Sequence, residues 1–379
     1  MRRSLRFWAR LVLGLGIVAA ILRLFSLPSP GVPLSPATDA VAAAVVDGPS
    51  TTLLLPQVAP SSHAAALAAD AEGRPLLVWF AGSREGAADV QIYFSRFTAG
   101  VWSAPRAVAE RQQIQAVGGR YLRKLGNPLL ALDGEGRLHL WFVSVSIGGW
   151  AGASLNHQSS ADGGITWSPP RRLVTAPFLN VSTLVRNSPL LLQGGGFALP
   201  VYHEFISKHG EWLLLAADGE TVLDKARMPA ARPLLQPAVA PTSEGLLAVL
   251  RDAGPGPGAL RTARSSDGGS HWKEGPALAI ANPNSAAAMI RLADGRLLLA
   301  CNPIAQNRNK LSLWLSGDAG ASWRESRVVE SSPSGREEYS YPALLQGGDG
   351  QVHLVYTWNR QTIKHVRLPL GVLAAGAPS

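Results

Sequence analysis

Three arginines end or precede apolar runs in this chain: Arg84 in PLLVWFAGSR, Arg251 in LLAVLRD and Arg308 in NRNKLSLWLS. A guanidinium presents its donors as a rigid fork, so several brought together would grip a carboxylate or a pair of hydroxyls. Taken singly, each reads as a surface ion-pair partner. Asp89 closes GSREGAAD, a Gly/Ala-rich loop able to move over a bound sugar, with Glu85 as a neighbouring acid. A carboxyl there could protonate a leaving glycosidic oxygen once burial raises its pKa. Tyr339 stands in REEYSYP, where strand alternation puts Glu337 on its face and Glu338 on the other. Lesser candidates are His203 and Glu204 in VYHE, and Trp358, Asn359, Arg360, Lys364 and His365 in a C-terminal hairpin. His63, His157, His203 and His365 lack metal-ligand spacing, so neither a metal nor a cofactor is expected.

The elements that must position these groups are strands. Short apolar runs such as RLHLWFVSV, FALPVYHE, RLLLACN and VHLVYTW alternate with turn signals such as DGEG, AADGE and GGDG. Strands without intervening helices imply a sandwich, barrel or propeller. One motif chooses among them: SSADGGITW at 159–167 returns as SSDGGSHW at 265–272 and SGDAGASW at 316–323. Its Asp suits a tight hairpin turn, taking turn amides while Gly supplies positive φ, and its Ser and Trp would pin the arms onto the next unit. The aspartates of these turns are therefore folding devices. A worn copy, SRFTAGVW at 95–102, has Phe97 in place of the Asp. The initial serines, Ser95, Ser160, Ser265 and Ser316, are spaced by 65, 105 and 51, and the long gap fits two units with one copy erased. A period of about 50 predicts six units of four strands, an all-β, six-bladed propeller over 51–372.

Composition removes other classes. The single cysteine, Cys301 in LLLACN, excludes an internal disulfide and reads as a core thiol. Net charge is +9, but five of those charges are Arg2, Arg3, Arg6, Arg10 and Arg23, in a segment without acids. The rest of the chain carries no basic helix or stacking motif for nucleic acid. The apolar run LVLGLGIVAAIL between Arg10 and Arg23 predicts a helix over 1–27, an uncleaved anchor with its N-terminus inside or else a signal segment. Residues 28–50, rich in Pro, Ala and Ser, would tether a body lying outside the cytoplasm, periplasmic or extracellular.

The repeated turn resembles the Asp-box of the sialidase (neuraminidase) superfamily, also called the bacterial neuraminidase repeat. FAGSREGAAD, LLAVLRD with its following box, NRNKLSLWLSGDAG and EYSYPALLQGGDGQVHLVYTW resemble that family's ordered site segments. The resemblance implies a six-bladed propeller in which Asp89 is the general acid/base, Tyr339 the nucleophile, and Arg84, Arg251 and Arg308 bind substrate. Two positions depart from it. SSHAAAL carries His63 where the first arginine of the clamp belongs, and LLQPAVAPTSEG carries Gln236 where a glutamate should activate the tyrosine. A glutamine cannot take a phenolic proton, which leaves Glu337 as the candidate base. The function this implies is an exported exo-sialidase-type glycosidase acting on a terminal, acidic sugar. The alternatives are a propeller that binds glycans without cleaving them, and another carbohydrate-active enzyme, such as a lyase, pairing His63 with Tyr339. The expected partner is a glycoconjugate, with the membrane met only through the N-terminal segment.

Overall fold

A computed structural model describes residues 50–176 and 180–374, together with Val12 and Gly14. Apart from Val12, Gly14 and Ser50, the anchor and tether expected over 1–50 lie outside the described residues, among which no helix is long and apolar enough to cross a membrane. Runs of eight or nine apolar residues cut by Gly and Asp turns form four-stranded antiparallel sheets, six in all, as the repeat predicts. The blades are numbered one to six by their inner strands. These are Ser61–Ala69, Lys124–Leu132, the short pair Leu184–Val185 and Leu190–Leu191, Leu234–Thr242, Ala288–Arg291 and Tyr339–Gln346.

The sixth blade joins the two ends of the sequence. Its outer strand is Thr51–Leu54, which pairs antiparallel with Thr362–Leu368. That pairing closes the ring and leaves no open sheet at the seam. Apolar faces of neighbouring blades pack on one another, with Trp79, Trp141 and Trp212 fully buried between them. Cys301 lies in this interior, in the cluster shared by the fourth and fifth blades.

Chain direction separates two ends. Hairpins joining first to second and third to fourth strands fall at one rim, and the Asp-boxes occupy third-to-fourth hairpins there. Connections from second to third strands, and from blade to blade, fall at the opposite mouth, along with a helix at Arg111–Gly118.

One irregularity in the inner strands decides what the mouth displays. In four blades the register slips by a bulge, and the bulged residue has positive φ: Ala64, Asn127, Gln236 and Tyr341. A bulge breaks the two-residue alternation and re-aims one side chain. Each of these non-glycine residues carries roughly 1–2 kcal/mol of backbone strain, which native structures keep mainly where surroundings or function demand it.

Candidate active site

Tyr341 stands at the centre of the mouth. The His63 imidazole lies 4.2 Å from its ring, centroid to centroid. Arg251 directs Nη1 at the phenol oxygen, 3.4 Å away, and the guanidinium carbons of Arg308 and Arg186 sit 5.6 and 5.1 Å from the ring centre. Burial alone would raise this phenol. The charges of Arg251 and Arg308, with Gln236 beside it, outweigh burial and hold it below its ordinary value. Three arginines and one tyrosine therefore converge from the third, fourth, fifth and sixth blades.

Each arginine is positioned by its own contacts. Arg251 donates from Nη1 to Gln236 Oε1 at 2.9 Å and from Nε to Asn284 Oδ1 at 2.5 Å. Gln236, turned inward by its bulge, donates in turn to the Tyr202 hydroxyl at 3.3 Å, which also receives the Asn127 amide at 3.1 Å. Arg308 donates to Glu338 Oε1 at 3.1 Å and to the Asn284 carbonyl at 3.2 Å. Glu338 also accepts from Arg360 Nε at 2.6 Å, and Arg360 Nη1 reaches Glu85 Oε2 at 2.6 Å. Arg360 follows Asn359 in a two-residue turn where both have positive φ, the geometry of a type I′ hairpin. The chain Arg308–Glu338–Arg360–Glu85 thus connects the clamp to the loop that carries Asp89.

His63 is 1% exposed and its Nδ1 lies 2.9 Å from the Thr357 hydroxyl, while Nε2 has no partner among the described residues. Burial, then the charges of Arg360, Arg308 and Arg186, keep the ring neutral well below its ordinary pKa. The Thr357 oxygen already accepts the Ala64 amide at 3.3 Å, so its own proton is free for Nδ1. Nε2–H is then a buried donor without a partner among the described residues, on a ring packed against Tyr341. It stands where the resemblance places an arginine.

The structure brings His63, Gln236, Arg251 and Arg308 together and separates other expected members. Tyr339 is buried against the fifth blade's strands, and burial, then Glu330 and Glu337, push its phenol up. Its backbone serves the site instead, donating N–H to the Arg308 carbonyl at 2.8 Å. Alternation would give Tyr339 and Tyr341 one face; the bulge between Ser340 and Ala343 separates them. Tyr341, not Tyr339, is the tyrosine of the cluster. Glu337 is held by the Ser332 and Ser334 hydroxyls and acts on Tyr339, not Tyr341, so the acid in the cluster is Glu338. Arg84 is exposed and forms no ion pair among the described residues. Asp89, also exposed, accepts the Ser83 amide and hydroxyl, each at 2.9 Å. Slight desolvation opposes them, yet those bonds hold its carboxyl below the usual range. His203 stacks on His209 at 5.1 Å, Lys364 pairs with Glu330, and His157 and His365 are buried at the other rim.

Sequence reasoning missed Tyr341, Arg186 and the role of Arg360. A signal for the first was present: Asn127-Pro128, Gln236-Pro237 and Tyr341-Pro342 repeat one dipeptide pattern in three inner strands, and each marks the bulged residue. Arg186 lies in STLVRNSPLLL, whose strands are too short to stand out. Among the described residues, no group of three or more His, Cys, Asp and Glu is arranged to hold a metal ion. A depression of about 680 Å³ at the box rim, lined by Asp133, Arg137, His139, Arg171, Asp218 and Glu220, contains none of the cluster's residues.

Six closed four-stranded blades, Asp-boxes on one rim and an arginine–tyrosine cluster at the opposite mouth define a sialidase-like six-bladed propeller. Residues 73–354 match the BNR repeat-like domain family, and the chain belongs to that family. Among solved structures it is similar to the Hadza microbial sialidase Hz136, at 20% identity and a TM-score of 0.67, covering 82% of this chain and 66% of that one. It is also similar to a K499G mutant of NanB sialidase from Streptococcus pneumoniae, at 12% identity and a TM-score of 0.66, covering 89% and 73%. A further likeness is to the α-L-arabinanase of Penicillium chrysogenum complexed with arabinobiose, at 15% identity and a TM-score of 0.59, covering 85% and 99%. These likenesses establish the fold and a divergent place within it. No curated protein matches the chain.

Proposed function

We propose that the protein is an exported glycoside hydrolase acting on a terminal sugar that carries a carboxylate. The observation that supports this reading is the convergence of Arg251 and Arg308 on Tyr341, at its hydroxyl and its ring, with Arg251 paired to no carboxylate among the described residues. A substrate carboxylate would bridge the two guanidiniums, and the Nε2–H of His63 would supply a weaker, neutral third donor. Tyr341, its phenolic proton released to solvent, then attacks the anomeric carbon as the glycosidic bond breaks, and Asp89 gives its proton to the departing oxygen. In the second half, Asp89 takes a proton from water as water displaces the tyrosine oxygen, restoring both groups. Free Asp89 is ionised at neutral pH; a sugar covering its loop strips water from it and raises it toward the acid form. The cationic flank and apolar run of residues 1–27 support a propeller held outside the cytoplasm.

A second reading, a glycan-binding propeller without turnover, is favoured by Gln236, since an amide cannot accept the phenolic proton. One assay separates the two. Fluorogenic sialosides, uronides and neutral glycosides are offered to the wild type, Tyr341→Phe, Tyr339→Phe and Asp89→Ala. The expected outcome is hydrolysis of an acidic glycoside that falls by at least about 10²-fold in Tyr341→Phe and Asp89→Ala, and by less than about threefold in Tyr339→Phe. Silence on every glycoside, with glycan binding that survives all three substitutions, would establish the binding module instead.

A further inference from the structure

Resting on the reading of Tyr341 as the reacting phenol, we propose that Arg186 is a positioning residue that makes Tyr341 the most readily ionised tyrosine of the chain. The phenolic proton passes to solvent under the influence of charge rather than to a base at position 236.

Arg186 is a buried cation without a counter-ion. It is 2% exposed, and none of the carboxylates among the described residues contacts it. Its Nη1 donates to the Ala65 carbonyl at 3.1 Å and its Nη2 to the Pro342 carbonyl at 2.8 Å, while Nε is unpartnered. Backbone carbonyls satisfy donors but leave the positive charge in place, and an uncompensated buried charge is retained only against a strong cost. The groups that could offset it are phenols, Tyr341 first and then Tyr202, and the guanidinium carbon lies 5.1 Å from the centre of the Tyr341 ring. The bond to Pro342 also grips the residue next to Tyr341, so Arg186 holds the bulge that aims the ring.

Against burial and the charge of Glu85, Arg251 and Arg308 also lower the Tyr341 phenol. Arg251 approaches the phenol oxygen from the solvent side and, like Arg186, touches no carboxylate among the described residues. Arg308 lies 5.6 Å from the ring centre and shares Glu338 with Arg360, whose second partner is Glu85. His63 is neutral, and burial pushes the phenol of Tyr202, across the channel, upward. Two guanidiniums without carboxylate partners among the described residues therefore face one tyrosine, Arg251 at its oxygen and Arg186 at its ring. Gln236 completes the logic. A carboxylate at that position would neutralise Arg251, whereas the amide holds it at 2.9 Å and leaves its charge directed at the phenol.

The test is a spectrophotometric pH titration near 295 nm, without substrate, with the Tyr341→Phe curve subtracted from the wild type. Burial pushes Tyr93, Tyr202, Tyr339 and Tyr356 in the opposite direction, so the difference isolates one phenol. The wild-type midpoint is expected clearly below the ordinary value of about 10. Arg186→Gln and Gln236→Glu should each raise it by about one unit or more, as removal of a nearby cation or addition of an anion requires. Arg186→Lys, which keeps the charge, should restore most of the shift. Arg251→Gln, at the accessible mouth, reads the same effect should Arg186→Gln fail to fold. A wild-type midpoint at or above 10, a midpoint that a folded Arg186→Gln leaves unmoved, or one that Arg251→Gln and Gln236→Glu leave unmoved, overturns the proposal. Because no turnover is involved, a barren glycoside screen would remove the hydrolase reading and leave this one standing.

Discussion

Trp102 decides the protonation of two buried histidines. An indole nitrogen can only donate, so His365 Nδ1, 3.1 Å away, must accept. His365 Nε2–H then donates to His353 Nδ1 at 3.0 Å, and His353 Nε2–H donates to Asp349 at 3.2 Å. His365 is neutral in this chain, accepting at Nδ1 and donating from Nε2. The second blade places Asp133, His139 and His157 in the same positions, but its chain ends on Glu220 Oε1 at 3.1 Å, so an acceptor stands where the sixth has the Trp102 donor and the proton order differs. Burial, then the neighbouring histidine, depresses His157 and His365 to about 3 each. Their unfolded value is about 6.5, so the unfolded chain binds more protons between those limits and stability falls as pH drops through that window. The stabilisation is complete above about pH 7 and lost progressively towards pH 3. Urea denaturation at pH 7.5 and pH 5 should show a loss on the order of 2 kcal/mol per histidine, and His365→Gln should flatten part of that dependence. Equal stability at the two pH values would contradict the assignment.

At the scale of elements, the Asp-box is a closed hydrogen-bond circuit made three times. Ser160 donates to Asp162 at 2.7 Å and accepts the Gly164 amide at 2.8 Å, while Asp162 accepts the Thr166 amide and hydroxyl. Ser265–Asp267–His271 and Ser316–Asp318–Ser322 repeat it, and each box Trp donates to the carbonyl of its box Gly. The turns pack on the preceding blade, not the next: Arg96 and Arg264 donate to Gly163 and Ala319, and Trp212 to Gly268. The third blade keeps only a remnant, with Asp218 accepting the Glu220 and Thr221 amides and Gly219 accepting from Trp141. That remnant is the erased copy implied by the long gap between boxes. Asp267→Ala should lower Tm by roughly 2–4 °C without changing ligand affinity. Asp89→Ala should leave Tm unmoved; calorimetry beside a binding assay separates the two aspartates.

The whole molecule depends on its closure. Thr51–Leu54 supplies the sixth blade's outer strand, Leu55 N–H donates to the Ile363 carbonyl at 3.0 Å, and Thr362 donates to the Leu55 carbonyl at 2.8 Å. A protein beginning at residue 28 retains every one of these contacts and should fold. One beginning at residue 57 loses them, exposes the Thr362–Leu368 edge and opens the ring at its seam. Thermal unfolding of the two should differ by several times the effect of a single box substitution. Failure of the longer protein to fold would make residues 1–27 part of the core rather than an anchor.

What the sequence determined by itself was local. Apolar runs and turn residues specify strands because a strand's period and a turn's φ are set within a few residues, and a box repeated at a regular spacing counts the blades. Arg251, Arg308 and the departures at His63 and Gln236 were legible because each sits at a recognisable strand end. The tertiary structure alone decided which tyrosine enters the mouth, since a single bulged residue reverses the face that alternation assigns to Tyr341. It alone brought Arg186 to that ring, from a segment 155 positions away in the chain, and Arg360 to Glu338 and Glu85 beside it. Convergence of that kind arises from closing six blades around one axis, and no spacing within a single blade encodes it.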